Sequence, residues 1–291
     1  MLIRLLYFFI SRQLGWRFGR SLYMRARGDV ANEILSNGEF MVQQCVVEGW
    51  KNKPDSEAKL VVFDVGANVG NWSELLLAHI DSLHNNNIIP CDLHLFEPIS
   101  ETFTTLKKRF QDSGHSTSLY FHQLALSSSK GNDQMYLLGA SGINSIHSDK
   151  TNGNAASVTI TKDTAANICV SHAISKIHLL KSDTEGHDME VILGALPLLR
   201  ENRISVLQFE YNHRWVYSRH FLKDVFDSIY QLPYRIGKIQ SDHIELYTDW
   251  HPEMERFFEA NYILIHEDSL SWFSTRETTF DKHNTAASSF L

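Results

Sequence analysis

Residues 60–72 read Leu60-Val61-Val62-Phe63-Asp64-Val65-Gly66-Ala67-Asn68-Val69-Gly70-Asn71-Trp72. The stretch opens on an almost unbroken apolar run, which fits a strand buried on both faces of a parallel sheet. Two glycines and an asparagine follow, residue types that turn a chain tightly and let backbone approach a ligand. Trp72, Leu75, Leu76, His79, Ile80 and Leu83 then recur at helical spacing. The order is strand, glycine turn, helix. That order aims helix N–H groups and the positive end of the helix dipole at whatever sits above the sheet. A nucleotide-like cofactor is the usual occupant.

The turn narrows the choice. A dinucleotide fold would read G-x-G-x-x-G, whereas this chain has Asp64-x-Gly66-x-Asn68-x-Gly70, with an acid before the first glycine. The pattern resembles motif I of class I S-adenosylmethionine-dependent methyltransferases. In those enzymes the acid contacts the amino-acid end of the cofactor and the glycines admit its backbone. The competing reading is a tight strand-to-helix turn with no ligand.

Further along, Leu93-His94-Leu95-Phe96-Glu97 reads as the second strand. Glu97 falls at its carboxyl end, where ligands bind in such sheets and an acid can accept both ribose hydroxyls. Pro98 ends the strand, and Phe103, Leu106 and Phe110 give the next helix its inner face. Leu119 to Leu126 reads as a third strand, with Ala125 near its end to flank an adenine ring. Residues 127–160 break the rhythm with Gly131, Gly139, Gly142 and Gly153 and two short strand-like pieces, Met135–Leu138 and Val158–Thr161. A long insert at the ligand end of a sheet reads either as a lid or as a surface loop.

A fourth apolar strand, Ile177-His178-Leu179-Leu180, leads into Lys181-Ser182-Asp183-Thr184-Glu185-Gly186-His187-Asp188. It delivers Asp183 and Glu185 to its carboxyl end. Ile204 to Phe209 is strand five, running into Glu210-Tyr211-Asn212-His213. Tyr234–Ile239, Ile244–Thr248 and Tyr262–His266 read as closing strands. From about Thr275 the chain is polar with weak periodicity and reads as a frayed tail.

Composition sets outer limits. The 291 residues are 43% hydrophobic and 21% charged, ordinary for a globular chain. The net charge of -7 gives no general electrostatic support for a nucleic-acid partner. The charge is uneven, however. Residues 1–27 hold Arg4, Arg12, Arg17, Arg20, Arg25 and Arg27 and no Asp, Glu or Lys; six positive charges taken from -7 leave -13 on residues 28–291. Met1 to Ile10 is apolar apart from Arg4, yet too short to cross a bilayer, which needs about 20 apolar residues. Arginines interleaved with aromatics suit a helix lying on an anionic membrane surface, as peripheral contact through residues 1–27. The alternative is a helix packed on the catalytic domain with its arginines in water. Cys45, Cys91 and Cys169 form no Cys-x-x-Cys and read as reduced thiols in a reducing, cytoplasmic compartment.

Taken together, these segments resemble the FkbM family of methyltransferases. The match runs through Val62-Phe63-Asp64-Val65-Gly66-Ala67-Asn68-Val69-Gly70, Leu95-Phe96-Glu97-Pro98, Lys181-Ser182-Asp183-Thr184-Glu185-Gly186, Gly194-Ala195 and Gln208-Phe209-Glu210-Tyr211. It covers about Leu60 to Trp215; residues 1–50 lie outside it. The resemblance implies a doubly wound, mostly parallel seven-stranded α/β sheet of the class I methyltransferase kind. It also implies S-adenosylmethionine as cofactor and methyl transfer to oxygen, commonly a hydroxyl of a sugar or natural product. Three segments follow: an N-terminal basic helical extension (1–57), a methyltransferase domain (58–274) carrying a flap (127–160), and the tail (275–291).

The expected cofactor set is Asp64, Gly66, Asn68, Gly70, Glu97, Ala125 and Asp183. A protonated alcohol is a poor nucleophile, so a base near the methyl should accelerate the reaction, typically by about 100-fold to 10,000-fold. The candidates are Asp183, Glu185, His187, Glu210 and His213. The two histidines have an ordinary pKa of about 6.5, suited to base work near neutral pH, although any one of 15 histidines is weak evidence alone. Asp183, Glu185 and Glu210 form an alternative oxygen set for a divalent cation. Clustered carboxylates more often hydrogen-bond locally, and no metal is expected. The acceptor is expected to be a small molecule, glycan or glycolipid. Two rival readings share these features: an NAD(P)-dependent oxidoreductase, disfavoured by Asp64 and the missing third glycine, and a non-catalytic membrane-associated module on the same fold.

Overall fold

The computed structural model describes residues 11–29, 31–52, 59–83, 89–111, 117–137, 146 and 156–290. The apolar start of the chain (1–10) and most of the expected flap between 138 and 155 lie outside the described residues.

Strand β1 (Leu60–Val65) forms the centre, as its apolar run dictates. It pairs in parallel with β2 (Cys91–Phe96) on one side and β7 (Ile177–Ser182) on the other. β3 (Ser118–His122) adds outside β2, and β8 (Ile204–Tyr211) outside β7, again in parallel. β11 (Ala260–His266) then lies antiparallel to β8, and β9 (Tyr234–Ile239) antiparallel to β11. The order β3-β2-β1-β7-β8-β11-β9 is therefore five parallel strands followed by a reversed strand wedged before the seventh. These seven strands form the expected doubly wound class I methyltransferase sheet, within a sheet of ten strands rather than seven.

Alternate residues of β1 feed two cores. Phe63 and Val65 pack with Met189, Val191 and Ile192 of α5 (Asp188–Arg200) on one face. Leu60 and Val62 pack on the other with Trp72, Leu76, Leu77 and Ile80 of α3 (Asn71–Ser82). The second layer also contains α2 (Glu39–Lys51), whose Val42, Val46 and Val47 are fully buried against it. The N-terminal extension is thus divided: α2 belongs to the domain core, and α1 (Arg12–Ala26) has no buried residue. The polar stretch between α2 and β1, which reads as a linker, conceals this.

Two further departures concern strands. The chain leaves the main sheet after His122, and β4 (Ala125–Leu126) joins a small sheet with β5 (Gly131–Leu137) and β6 (Ala156–Asp163) instead of prolonging β3. β5 and β6 pair antiparallel, so the strand-like pieces of the insert do form a hairpin base. The expected frayed tail is the second correction. β10 (Ile244–Tyr247) extends the sheet beyond β9; β12 (Thr275–Phe280) pairs with β10, and β13 (Ala286–Phe290) with β12. Thr275-Arg276-Glu277-Thr278-Thr279 is polar throughout before Phe280, so this strand shows no apolar alternation in sequence. Arg235 of β9 holds Glu277 at 2.7 Å. Among the described residues, no helix is long and apolar enough to cross a membrane.

Candidate active site

Register places the key residues side by side. Val65 is level with Phe96 of β2 and with Ser182 of β7, so Gly66, Glu97 and Asp183 are neighbours one step beyond three adjacent strand ends. The ladders continue briefly: Gly66 N–H donates to the Phe96 carbonyl (3.0 Å), and Asp183 N–H to the Val65 carbonyl (3.1 Å). Gly66 has φ +76, and a Cβ there would lie 2.0 Å from the Asp183 carbonyl oxygen. Only glycine permits this approach of two strand ends.

Above them opens a cleft of about 210 Å³. Gly66, Asn68, Glu97, Ala125 and Asp183 of the expected cofactor set line it. Trp72, Phe96, Ile99 and Leu126 add apolar wall, and Ile34 reaches it from the N-terminal segment. Two expected members stand elsewhere. Asp64 is fully buried beneath the floor, where it accepts from Ser73 Oγ (2.7 Å) and Lys181 Nζ (3.1 Å). Gly70 starts α3 and abuts Phe110 and Leu106 of α4 (Ser100–Phe110). Asp64 thus stands beneath the floor and Gly70 at the contact between α3 and α4, neither on the cleft wall.

Glu97 is shaped by its neighbours. Its two oxygens accept from the Ile99 (2.9 Å) and Asn68 (3.2 Å) N–H groups, fixing the carboxylate at the cleft edge. Burial pushes this carboxyl up to about 7, against the pull of those N–H groups. Lys181 is the one lysine or arginine on the cleft wall among the described residues. Besides Asp64 it lies 3.7 Å from Asp183 and 5.9 Å from the centre of the Trp72 ring. Burial disfavours its charge, but Asp64, Asp183 and Glu39 outweigh that and hold it above the ordinary lysine range. Sequence shows its signal: a lysine in an otherwise apolar buried strand must be paired.

Of the five candidate bases, Asp183, Glu185 and His187 share the cleft wall. Burial, then Asp183, raises the Glu185 carboxyl to about 7, although Arg214 pairs with it. His187 is buried, with Nε2 3.1 Å from the hydroxyl of buried Ser127. Ser127 carries no signal in sequence, because the chain path that brings residue 127 to residue 187 is tertiary. Glu210 does not line the cleft. It is buried behind, accepting from Asn212 (2.6 Å) and Asn32 (3.2 Å), and burial with Asp183 nearby holds its carboxyl well above the ordinary range. His213 is exposed on the turn after β8 and is not part of the wall. Among the described residues, no group of three or more His, Cys, Asp or Glu side chains is arranged to hold a metal ion.

The residues fit S-adenosylmethionine. Glu97, Asp183 and Glu185 suit a cofactor with cationic sulfonium and ammonium groups, Lys181 complements its carboxylate, and the Gly66 approach leaves room where a Cβ would intrude.

No curated protein matches the sequence. Among solved structures, an S-adenosylmethionine-dependent methyltransferase from Agrobacterium tumefaciens is similar over 79% of this chain and 62% of its own, at 8% identity and a TM-score of 0.41. The small RNA methyltransferase HEN1 is similar over 84% of this chain and 27% of its own (8% identity, TM-score 0.38). The chain thus spans under two thirds of either protein. The plantazolicin methyltransferase BpumL, in complex with S-adenosylhomocysteine, is similar over 78% of this chain and 96% of its own (11% identity, TM-score 0.33). Residues 64–262 match the family model described as the methyltransferase FkbM domain. The chain belongs to the FkbM methyltransferase family, and its cofactor is S-adenosylmethionine.

Proposed function

We propose that this chain methylates a hydroxyl oxygen of a sugar, glycan, glycolipid or natural product. The observation that carries the reading is the shared wall of Asp183, Glu185 and His187 just past the end of β7. S-adenosylmethionine, when bound, supplies a methyl carbon made electrophilic by its sulfonium. Glu97 holds the ribose hydroxyls, Gly66 and Asn68 line the backbone side, and Ala125 with Ile99 flanks the adenine. On the acceptor side, Asp183 receives and orients the hydroxyl. His187 takes its proton, with Ser127 setting the ring's orientation. Ile34 and the apolar wall keep water from the reacting oxygen.

The cytoplasm is the working compartment we infer, supported by the free thiols of Cys45, Cys91 and Cys169. Peripheral contact with the inner face of a membrane, through residues 1–27, goes with a glycolipid acceptor.

The test is incubation of the full chain with methyl-labelled S-adenosylmethionine and fractionated glycolipid, polysaccharide, small-molecule, RNA and protein extracts. Alkali-stable label in one of the first three fractions is expected. Label confined to RNA or protein, or released by mild base as an ester, would contradict hydroxyl methylation.

A further inference from the structure

We propose that one face of α1 seats this enzyme on an anionic phospholipid surface, and that the methyl acceptor is an amphiphile held in that surface. The second half rests on the methyl-transfer reading above.

Helix α1 has two unlike sides. At 100° per residue, Leu14, Phe18 and Leu22 fall on one stripe. They are 59%, 68% and 58% exposed. Tyr23 and Arg20 fall on the opposite side and meet the domain. Tyr23 donates to Glu253 (2.8 Å) and sets its ring edge-on to Phe258, and the Arg20 guanidinium lies 5.6 Å from the centre of the Phe258 ring. The apolar stripe therefore points away from the protein. Arg25 lies within that stripe at its C-terminal end and Arg17 beside it, and the helix has no acid. A shallow groove beside the helix is lined by Arg17, Arg20 and Arg25 together with Ser21, Met24, Gly28 and Asp29, the last already paired with Arg27 and Lys238. Apolar side chains for the acyl boundary and guanidinium groups for phosphate are the two halves of an interfacial helix.

Charge decides between occupants. A second copy docking through the same stripe would bury Arg25 of each copy in an apolar contact, with no acid on either helix to pair it. RNA would use the arginines and leave Leu14, Phe18 and Leu22 in water. An anionic bilayer satisfies both sets at once.

The stretch joining α1 to the cleft is pinned. Asp29 is buried and pairs with Lys238, which also donates to the Arg27 carbonyl (3.0 Å). Asn32 donates to Glu210. Gly38, at φ +94, lies so close to Gln240 that a Cβ would sit 2.1 Å from its carbonyl oxygen. Between these anchors, Ile34 enters the cleft wall. Ile34 is eight residues past the end of α1, so the cleft wall lies within roughly 30 Å of the docked helix. A bilayer-held headgroup is the acceptor class that such an arrangement serves.

The test uses the full chain in three arms. In co-sedimentation, phosphatidylcholine vesicles containing phosphatidylglycerol should pellet it, pure phosphatidylcholine vesicles should not, and high salt should release it. The double variant Arg17→Ala/Arg25→Ala should bind about 30-fold more weakly, and Phe18→Glu at least about tenfold more weakly. Calorimetry should show unchanged S-adenosylmethionine affinity in both variants, which keeps folding and the cofactor site separate from docking. In the third arm, label from methyl-labelled cofactor and total membrane extract should enter the chloroform phase, and Phe18→Glu should reduce it. Equal pelleting by both vesicle types, no effect of either variant, or a self-association or RNA affinity lost in Phe18→Glu would overturn the docking surface. Label in the aqueous phase alone would overturn the amphiphilic acceptor. Absent cofactor binding would instead overturn the methyl-transfer reading, leaving vesicle binding to stand by itself.

Discussion

Lys181 of β7 donates to Asp64 of β1 at 3.1 Å, with 5% and 0% of the two side chains exposed. Asp64 lies beneath the cleft floor, and Lys181 reaches from it to the cleft wall, 3.7 Å from Asp183. Removing one partner of a buried pair strands the other charge, which costs about 3–5 kcal/mol. Lys181→Met should lower unfolding free energy by that order in urea titrations. The double variant Lys181→Met/Asp64→Asn should recover part of the loss, since no charge is then stranded; a double variant as unstable as the sum of the singles would show that the pair is not the cause.

Gly66→Ala should be severe. The new methyl would meet the Asp183 carbonyl at 2.0 Å from a left-handed backbone. A cost of about 2–4 kcal/mol is expected, together with loss of measurable cofactor affinity, because the floor must open. Gly19→Ala, on exposed α1 with nothing within 4 Å, is the control and should be neutral or slightly stabilising. Melting curves and calorimetry on both variants decide this.

Burial holds the Glu97 carboxyl at about 7, above its ordinary 4.5. The folded state therefore keeps a proton that the unfolded state releases, and this group's contribution to stability falls as pH rises from about 4.5 to about 7. Glu97→Gln, which cannot ionise, should remove that share. Between pH 5 and 8 the variant should gain stability relative to the parent as pH rises, read from urea midpoints at each pH. Affinity for the cofactor runs the other way: the ionised carboxylate is the better acceptor for ribose hydroxyls, so the parent should bind more tightly above pH 7 than at pH 6.

His187 and His213 separate on position. His187→Ala should lower kcat by about 100-fold to 10,000-fold while leaving cofactor affinity within about twofold. His213→Ala, exposed and off the cleft wall, should keep near-parental turnover. Ser127→Ala should give a smaller loss with an altered pH profile, as a positioning residue acting through the His187 ring. The reverse ranking of the two histidines would move the acceptor side toward the turn after β8.

What was legible in sequence was what short-range patterning encodes. The apolar run Leu60–Val65 and the helical spacing after Trp72 specify β1 and α3, and Glu97 and Asp183 are readable as strand-end acids from their place one residue past an apolar run. The role of Asp64 was not legible. The acid before the glycine marks the turn, but strand packing, a tertiary matter, decides that its side chain meets Lys181 below the floor. Ser127 and Ile34 escaped for the same reason, the chain path bringing one against the His187 ring and the other to the cleft wall. β12 and β13 escaped because their polar residues show no apolar alternation; α2 was readable as a helix, but its packing on the core was not, because a polar stretch separates it from β1.

The central claim is that the cleft over Gly66, Glu97 and Asp183 binds S-adenosylmethionine. Calorimetric titration of the parent, Glu97→Ala and Asp183→Asn with S-adenosylmethionine, and of the parent with NADPH, tests it most directly. The parent should bind S-adenosylmethionine and not NADPH, and Glu97→Ala should lose roughly 1.5–3 kcal/mol of binding free energy, the scale for hydrogen bonds to a charged group. Asp183→Asn should weaken binding less. Unchanged affinity in a folded Glu97→Ala variant, or binding of NADPH in place of S-adenosylmethionine, would contradict the account.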